Sequence, residues 1–130
     1  MPVKINVKTT INDEETFELV VFGRYHQKNQ ASFLQYEEAL EEGTVRTIVK
    51  ASKEEALILR GGAVKMRLPF RLHKKTRGSY EMPFGTFETI THAHRITQSE
   101  GLIDILYDFT MKGSPGGTYH LEISFQEDHK

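Results

Sequence analysis

The sequence contains no cysteine. That absence excludes disulfides, thiolate metal sites, iron–sulfur clusters and cysteine nucleophiles. Also missing are an Asn-x-Ser/Thr sequon, a Gly-x-x-x-x-Gly-Lys phosphate loop, a Gly-x-Ser-x-Gly elbow and a His-Glu-x-x-His pair. No motif of high specificity marks an enzyme, no residue is singled out as catalytic, and no cofactor is implied. Apolar runs are only a few residues long, too short to cross a bilayer as a helix. The N-terminal residues Met1-Pro2-Val3-Lys4-Ile5-Asn6 alternate polar with apolar side chains, whereas a secretory signal needs a continuous apolar block. A soluble, cytoplasmic protein is the expectation.

What is present is alternation. The chain has 130 residues, 38% hydrophobic and 27% charged, which suits one globular domain spanning residues 1–130. Apolar residues recur with period two, the spacing that puts successive side chains on opposite faces of a strand. Val3, Ile5, Val7 and Ile11 form one such face before a turn at Asn12-Asp13, and Phe17, Leu19 and Val21 form the next. Gly23 falls inside that second strand, where a glycine marks a bulge or a close backbone approach. Phe33, Leu34 and Tyr36 give a third strand, ending near Glu38. Glu37 to Glu42 favours a loop or short helical turn by propensity, stopped by Gly43. Val45, Thr47, Val49 and Ala51 make a fourth strand.

Two hairpins carry register information. Gly61-Gly62 suits a two-residue turn, which sets Leu59 opposite Val64 and Leu57 opposite Met66. Leu57, Leu59, Val64, Met66, Leu68, Phe70 and Leu72 then face inward, and Arg60, Lys65, Arg67 and Arg71 outward. Pro69 cannot donate to a ladder, so a bulge, a break or an unpaired side is expected there. At Ser99-Glu100-Gly101 two registers compete. A two-residue loop puts Ile90, His92, His94 and Ile96 on the interior face shared by Ile103, Ile105, Tyr107 and Phe109; a three-residue loop turns Thr89, Thr91, Ala93 and Arg95 inward instead. The first buries both isoleucines and is preferred. The cluster Gly113-Ser114-Pro115-Gly116-Gly117 is a turn, and Tyr119, Leu121, Ile123 and Phe125 form the last strand. About ten strand segments joined by short turns, without a long helical pattern, make an all-β fold.

The stretch Gly78-Ser79-Tyr80-Glu81-Met82-Pro83-Phe84-Gly85-Thr86, with Phe33-Leu34-Gln35-Tyr36-Glu37-Glu38 and Tyr107-Asp108, resembles the bacterial YwiB-like family. The resemblance implies a single antiparallel meander β-barrel of about 8–10 strands, calycin-like and related in shape to lipocalins, with no assigned activity. It decides for a barrel over a sandwich and carries no catalytic residue across.

Four constellations deserve chemistry. His92 and His94 are two apart on a strand and share a face; a metal would need a third ligand, for which Glu88, His73 and His120 are the candidates. If the barrel is hollow, Tyr80, Phe84, His92, His94, Arg95 and Tyr107 are the residues expected to touch a small, partly apolar ligand. Residues 65–77 carry Lys65, Arg67, Arg71, Lys74, Lys75 and Arg77 without an acid, leaving −7 on the rest of a chain whose net charge is −1. Such a wall could follow a nucleic-acid backbone, although charged outward positions are ordinary in soluble strands and the near-neutral total argues against a dedicated nucleic-acid binder. The basic and acidic patches could instead pair between subunits of a homo-oligomer. Asp104 and Asp108 share the wet face of one strand and need no catalytic role.

Overall fold

The computed structural model describes residues 1–112, 114 and 116–128. Ten antiparallel strands follow one another: β1 (Pro2–Ile11), β2 (Glu15–Lys28), β3 (Ala31–Leu40), β4 (Gly43–Ala51), β5 (Glu55–Gly62), β6 (Lys65–Arg71), β7 (Lys75–Met82), β8 (Gly85–Ser99), β9 (Leu102–Met111) and β10 (Gly117–Glu127). Each pairs with its sequence neighbours, and β10 returns to β1, closing the barrel. No helix is long and apolar enough to cross a membrane.

Period-two alternation sorts the walls. Val3 and Ile5 of β1, Leu34 of β3, Val45 and Val49 of β4, Phe70 of β6, Ile103 and Ile105 of β9 and Ile123 of β10 are almost wholly buried. Their neighbours on either side along each strand point outward. Helical propensity at residues 37–42 is overridden: β3 runs to Leu40 because Glu37, Glu38 and Ala39 pair with Arg46, Val45 and Thr44, and only residues 41–42 turn.

At Gly23 there is no bulge. A Cβ there would run into the Gln35 carbonyl oxygen and lie 3.0 Å from Ile5 and Tyr36, so the glycine permits a close approach where β2 begins to pair with β3. The defect expected at Pro69 is present. The β6–β7 ladder holds Lys65, Met66 and Arg67 against Glu81, Tyr80 and Ser79 and then stops, while Pro69 still lies opposite Leu57 on its β5 side. Thr91 Oγ1 donates to the stranded Pro69 carbonyl at 2.5 Å.

Two registers differ from expectation. Arg60 lies opposite Met66, and β5 runs through both glycines, which pair with Val45 and Arg46; the turn sits at residues 63–64. This odd shift reverses the face of β5 relative to β6. Ala56, Ile58 and Arg60 point inward, and Leu57 and Leu59 point outward.

At Ser99-Glu100-Gly101 the loop has two residues, with Ser99 opposite Leu102 and Gly101 at φ +81°. The parity nevertheless changes within β8, because a bulge at His94 and Arg95 sets Ala93 opposite Tyr107 and Arg95 opposite Leu106. Ile96 is therefore inside, as are Thr89, Thr91 and Ala93, while Ile90, His92, His94 and Arg95 face out. In the turn before β10, Gly113 and Pro115 lie outside the described residues; the Ser114 amide donates to the Met111 carbonyl at 3.0 Å.

Candidate functional site

One rung of the barrel places polar side chains toward the interior. Tyr36 of β3 lies opposite Thr47 of β4, Thr47 opposite Arg60 of β5, and Arg60 opposite Met66 of β6. Glu38, two residues beyond Tyr36 on the same face, approaches Arg60 with Oε1 3.5 Å from a guanidinium nitrogen. These groups surround a recess of about 290 Å³ near the barrel end that carries the turns at 12–14, 41–42, 63–64 and 83–84. Tyr107, Leu121 and Ile123 form its far wall. At the opposite end Ser32 Oγ donates to Gln98 Oε1 at 2.5 Å, and Gln98 Nε2 donates to the Gln30 carbonyl at 2.8 Å.

The recess is electrostatically uneven. Burial, reinforced by the Glu38 carboxylate, pushes the Tyr36 phenol up to about 12, with Arg60 and Thr47 pulling the other way. Burial, with Tyr119 beside it, pushes the Tyr107 phenol up as well. Both hydroxyls stay neutral donors at ordinary pH. Tyr107 packs edge-on against Phe70, centroids 4.7 Å apart, and stacks on Tyr119 at 5.5 Å. Thr47 Oγ1 is buried beside the Tyr36 phenol. A guanidinium, a carboxylate, two phenols and a buried hydroxyl thus converge on an apolar-walled space.

A second cluster sits on the outer surface of β8, β9 and β10. His94 Nε2 lies 2.9 Å from Asp108 Oδ2, and Thr118 Oγ1 donates to Asp108 Oδ1 at 2.8 Å. The His94 contact leads in holding the Asp108 carboxyl below its usual range, with Thr118 and the His92 charge adding to it. Next to it, Arg95 Nε donates to Asp104 Oδ1 at 3.0 Å, and His120 Nε2 is 2.8 Å from Asp104 Oδ2.

Asp104, His120 and Glu122 come close enough to suggest a metal site, yet the geometry opposes one. Asp104 lies 2.8 Å from Nε2 of the imidazole, whereas Glu122 stands off at 3.9 Å from Nδ1. The Arg95 guanidinium already fills the cation's place. The His92 and His94 rings lie tilted with centroids 4.9 Å apart, but none of the three expected third ligands joins them: Glu88 pairs with Arg77 at 4.0 Å, His73 occupies a turn at φ +62°, and His120 is held by Asp104 at 2.8 Å.

Three comparisons bear on identity. The family model described as a domain of unknown function, DUF1934, matches residues 3–123. The chain belongs to the DUF1934 family. It is 33% identical over 132 residues to the uncharacterized beta-barrel protein YwiB of Bacillus subtilis, covering 96% of this chain and 93% of that one. The crystal structure of ywiB protein from Bacillus subtilis superposes with a TM-score of 0.82 at 31% identity, covering 98% of this chain and 92% of that one. The barrel is thus the architecture of this DUF1934 chain and of a relative solved in crystals.

Within this DUF1934 barrel the expected ligand contacts disperse. Tyr107 lines the recess, and Tyr80 occupies the rung beyond Met66. Phe84 is 79% exposed in the turn between β7 and β8, its ring edge-on to Phe87 at 6.0 Å. His92 and His94 stand outside the barrel because of the β8 bulge, and Arg95 because the two-residue loop sets it opposite the outward Leu106. Sequence reasoning missed Tyr36, Glu38, Thr47 and Arg60; the first three were readable from the parity of β3 and β4, and Arg60 was concealed by the register of β5.

The basic positions do gather on one outer face. Lys50, Arg67, Arg71 and Arg77 border a shallow groove of about 460 Å³ beside Pro69, where the β6–β7 ladder stops. Acids intervene: Arg71 holds Glu55 at 3.0 Å, Arg77 approaches Glu88, and Lys65 stands opposite Glu81. Lys74 and Lys75 flank the same face at the start of β7.

Proposed function

We propose that the barrel binds a small, partly apolar molecule in the recess lined by Tyr36, Thr47, Arg60 and Tyr107. The reading rests chiefly on the gathering of a guanidinium, a carboxylate and the buried Thr47 hydroxyl in one apolar-walled cavity. The recess, at about 290 Å³, falls just short of ordinary small-ligand sites, which run from about 300 Å³. Arg60 contacts Glu38 through a single nitrogen at 3.5 Å, so its remaining donors are available to an incoming acceptor. Tyr107 and the aliphatic wall would take the apolar part.

Native mass spectrometry of the full-length protein isolated from its own cells tests this. A bound small molecule is expected, and Arg60→Met should lose it. An adduct-free native protein, together with a crystal structure in which the protein's own side chains fill the recess, would overturn the reading. The basic outer face offers less for nucleic acid, because Arg71 and Arg77 are engaged with acids. Single-stranded RNA titrated at low salt would reveal it.

A further inference from the structure

Closure of the barrel is incomplete along one seam. β1 pairs with β2 from Glu15 to Arg24, but β3 pairs with β2 only from Gly23 to Lys28. Residues 15–22 of β2 therefore present a strand edge with no ladder partner on the β3 side among the described residues. Residues 37–40 of β3 face the same seam and pair only with β4. Exposed edges are templates for further strands, and proteins blunt them with lysine, proline, bulges or short length. This edge uses none of those: Thr16-Phe17-Glu18-Leu19-Val20-Val21-Phe22 has no lysine and no proline, and its pairing with β1 runs without a bulge.

Its side chains are also unprotected. Phe22 is 61% exposed, Phe17 57% and Val20 54%, three of the chain's most exposed large apolar residues, all on this one segment. Apolar exposure of that kind beside open backbone is the signature of strand addition, in which main-chain bonds supply affinity and flanking side chains supply selection.

Charge then names the occupant. Asp13, Glu14, Glu15 and Glu18 lie on the β2 side of the seam, and Glu37, Glu38, Glu41 and Glu42 on the β3 side. Nearby, Arg46 and Arg60 are engaged by Glu37 and Glu38, and Lys8 stands opposite Glu18. A second copy docking edge to edge would bring the same acids against themselves. We propose that the free edge of β2 receives an extended basic segment of a partner protein, apolar beside Val20 and Phe22 and lysine- or arginine-bearing toward the acids. The edge borders the recess, whose lining includes Phe17, Glu18 and Leu19, but the proposal needs no ligand there.

A short labelled peptide of alternating valine and lysine, added to the full-length protein, tests it by fluorescence anisotropy and amide hydrogen exchange. Binding should protect amides within residues 15–22 and weaken with salt. It should fall roughly tenfold or more for the same peptide with glutamate in place of lysine, and for the exposed-site double variant Val20→Lys, Phe22→Lys. Absence of binding by the valine–lysine peptide overturns the proposal, as does equal binding of the glutamate peptide or unchanged exchange at the edge. A protein that sediments as a dimer and becomes monomeric in the double variant would assign the edge to a second copy instead.

Discussion

Arg60 lies directly across the β5–β6 ladder from Met66, and this pairing carries a guanidinium into the barrel beside Glu38. Both side chains are mostly shielded, at 26% and 16% exposure, so each depends on the other for compensation of its charge. Arg60→Met is expected to destabilise the fold by about 1–3 kcal/mol, chiefly by leaving the carboxylate unpaired. Adding Glu38→Gln should restore most of the loss. Urea unfolding of the two variants checks this, and a double variant no better than the single one would show that the pair is not coupled.

Gly78 and Gly61 make a contrasting pair. A Cβ on Gly78 would strike the Arg67 carbonyl oxygen and approach Pro69 Cδ at 2.9 Å, whereas at Gly61 it meets nothing within 4 Å. Gly78→Ala should cost about 1–3 kcal/mol by forcing β7 away from β6, and Gly61→Ala should stay within about 0.5 kcal/mol of the parent. Thermal or urea midpoints measured side by side decide it.

The phenol of Tyr36 makes stability fall at high pH. Its pKa is raised from about 10 to about 12 in the folded state, so between those values the unfolded chain releases a proton that the folded chain retains. The unfolded state then binds fewer protons, and the free energy of unfolding declines as pH rises. The contribution is intact below pH 10, and roughly 2–3 kcal/mol is lost by about pH 12. Tyr107 acts in the same direction. Tyr36→Phe should flatten its share of that decline, and ultraviolet absorbance should show Tyr36 and Tyr107 ionising above the ordinary phenol range.

How much of this was legible depended on where parity is preserved. The inward faces of β1, β4, β6, β9 and β10 follow from alternation alone, and Pro69 announced the break in the β6–β7 ladder because an imino nitrogen cannot donate. β5 was misread because Gly61-Gly62 has the chemistry of a two-residue turn, while its pairing with Val45 and Arg46 keeps both glycines in the strand. His-Ala-His-Arg at 92–95 carries no local mark of a bulge; only the pairing with Tyr107 and Leu106 reveals it. The helix-favouring run after Tyr36 yielded to a neighbouring strand. The recess was lost from view through β5, and the outer cluster through β8.

Asp108 should titrate below the usual aspartate range in the folded protein, because His94 and Thr118 both donate to its carboxylate. Whatever stability this contact adds is present above the ordinary carboxyl value and disappears as pH falls through the lowered one. A carbon-detected NMR titration is expected to show the depressed midpoint, and His94→Ala should return it toward normal. Thr118→Val should move it less.

The bulge at His94 and Arg95 makes β8 two half-strands of opposite phase: Thr91 and Ile96 both face the interior although they are five positions apart, an odd step. This strand is thereby a one-residue length gauge for the wall. Loss of residue 94 would restore unbroken alternation, and that regularity would be the fault, since one half of β8 would then show its isoleucine or its buried threonines to water. At this point of the chain a substitution is a local matter, whereas a change of length is read along the whole strand.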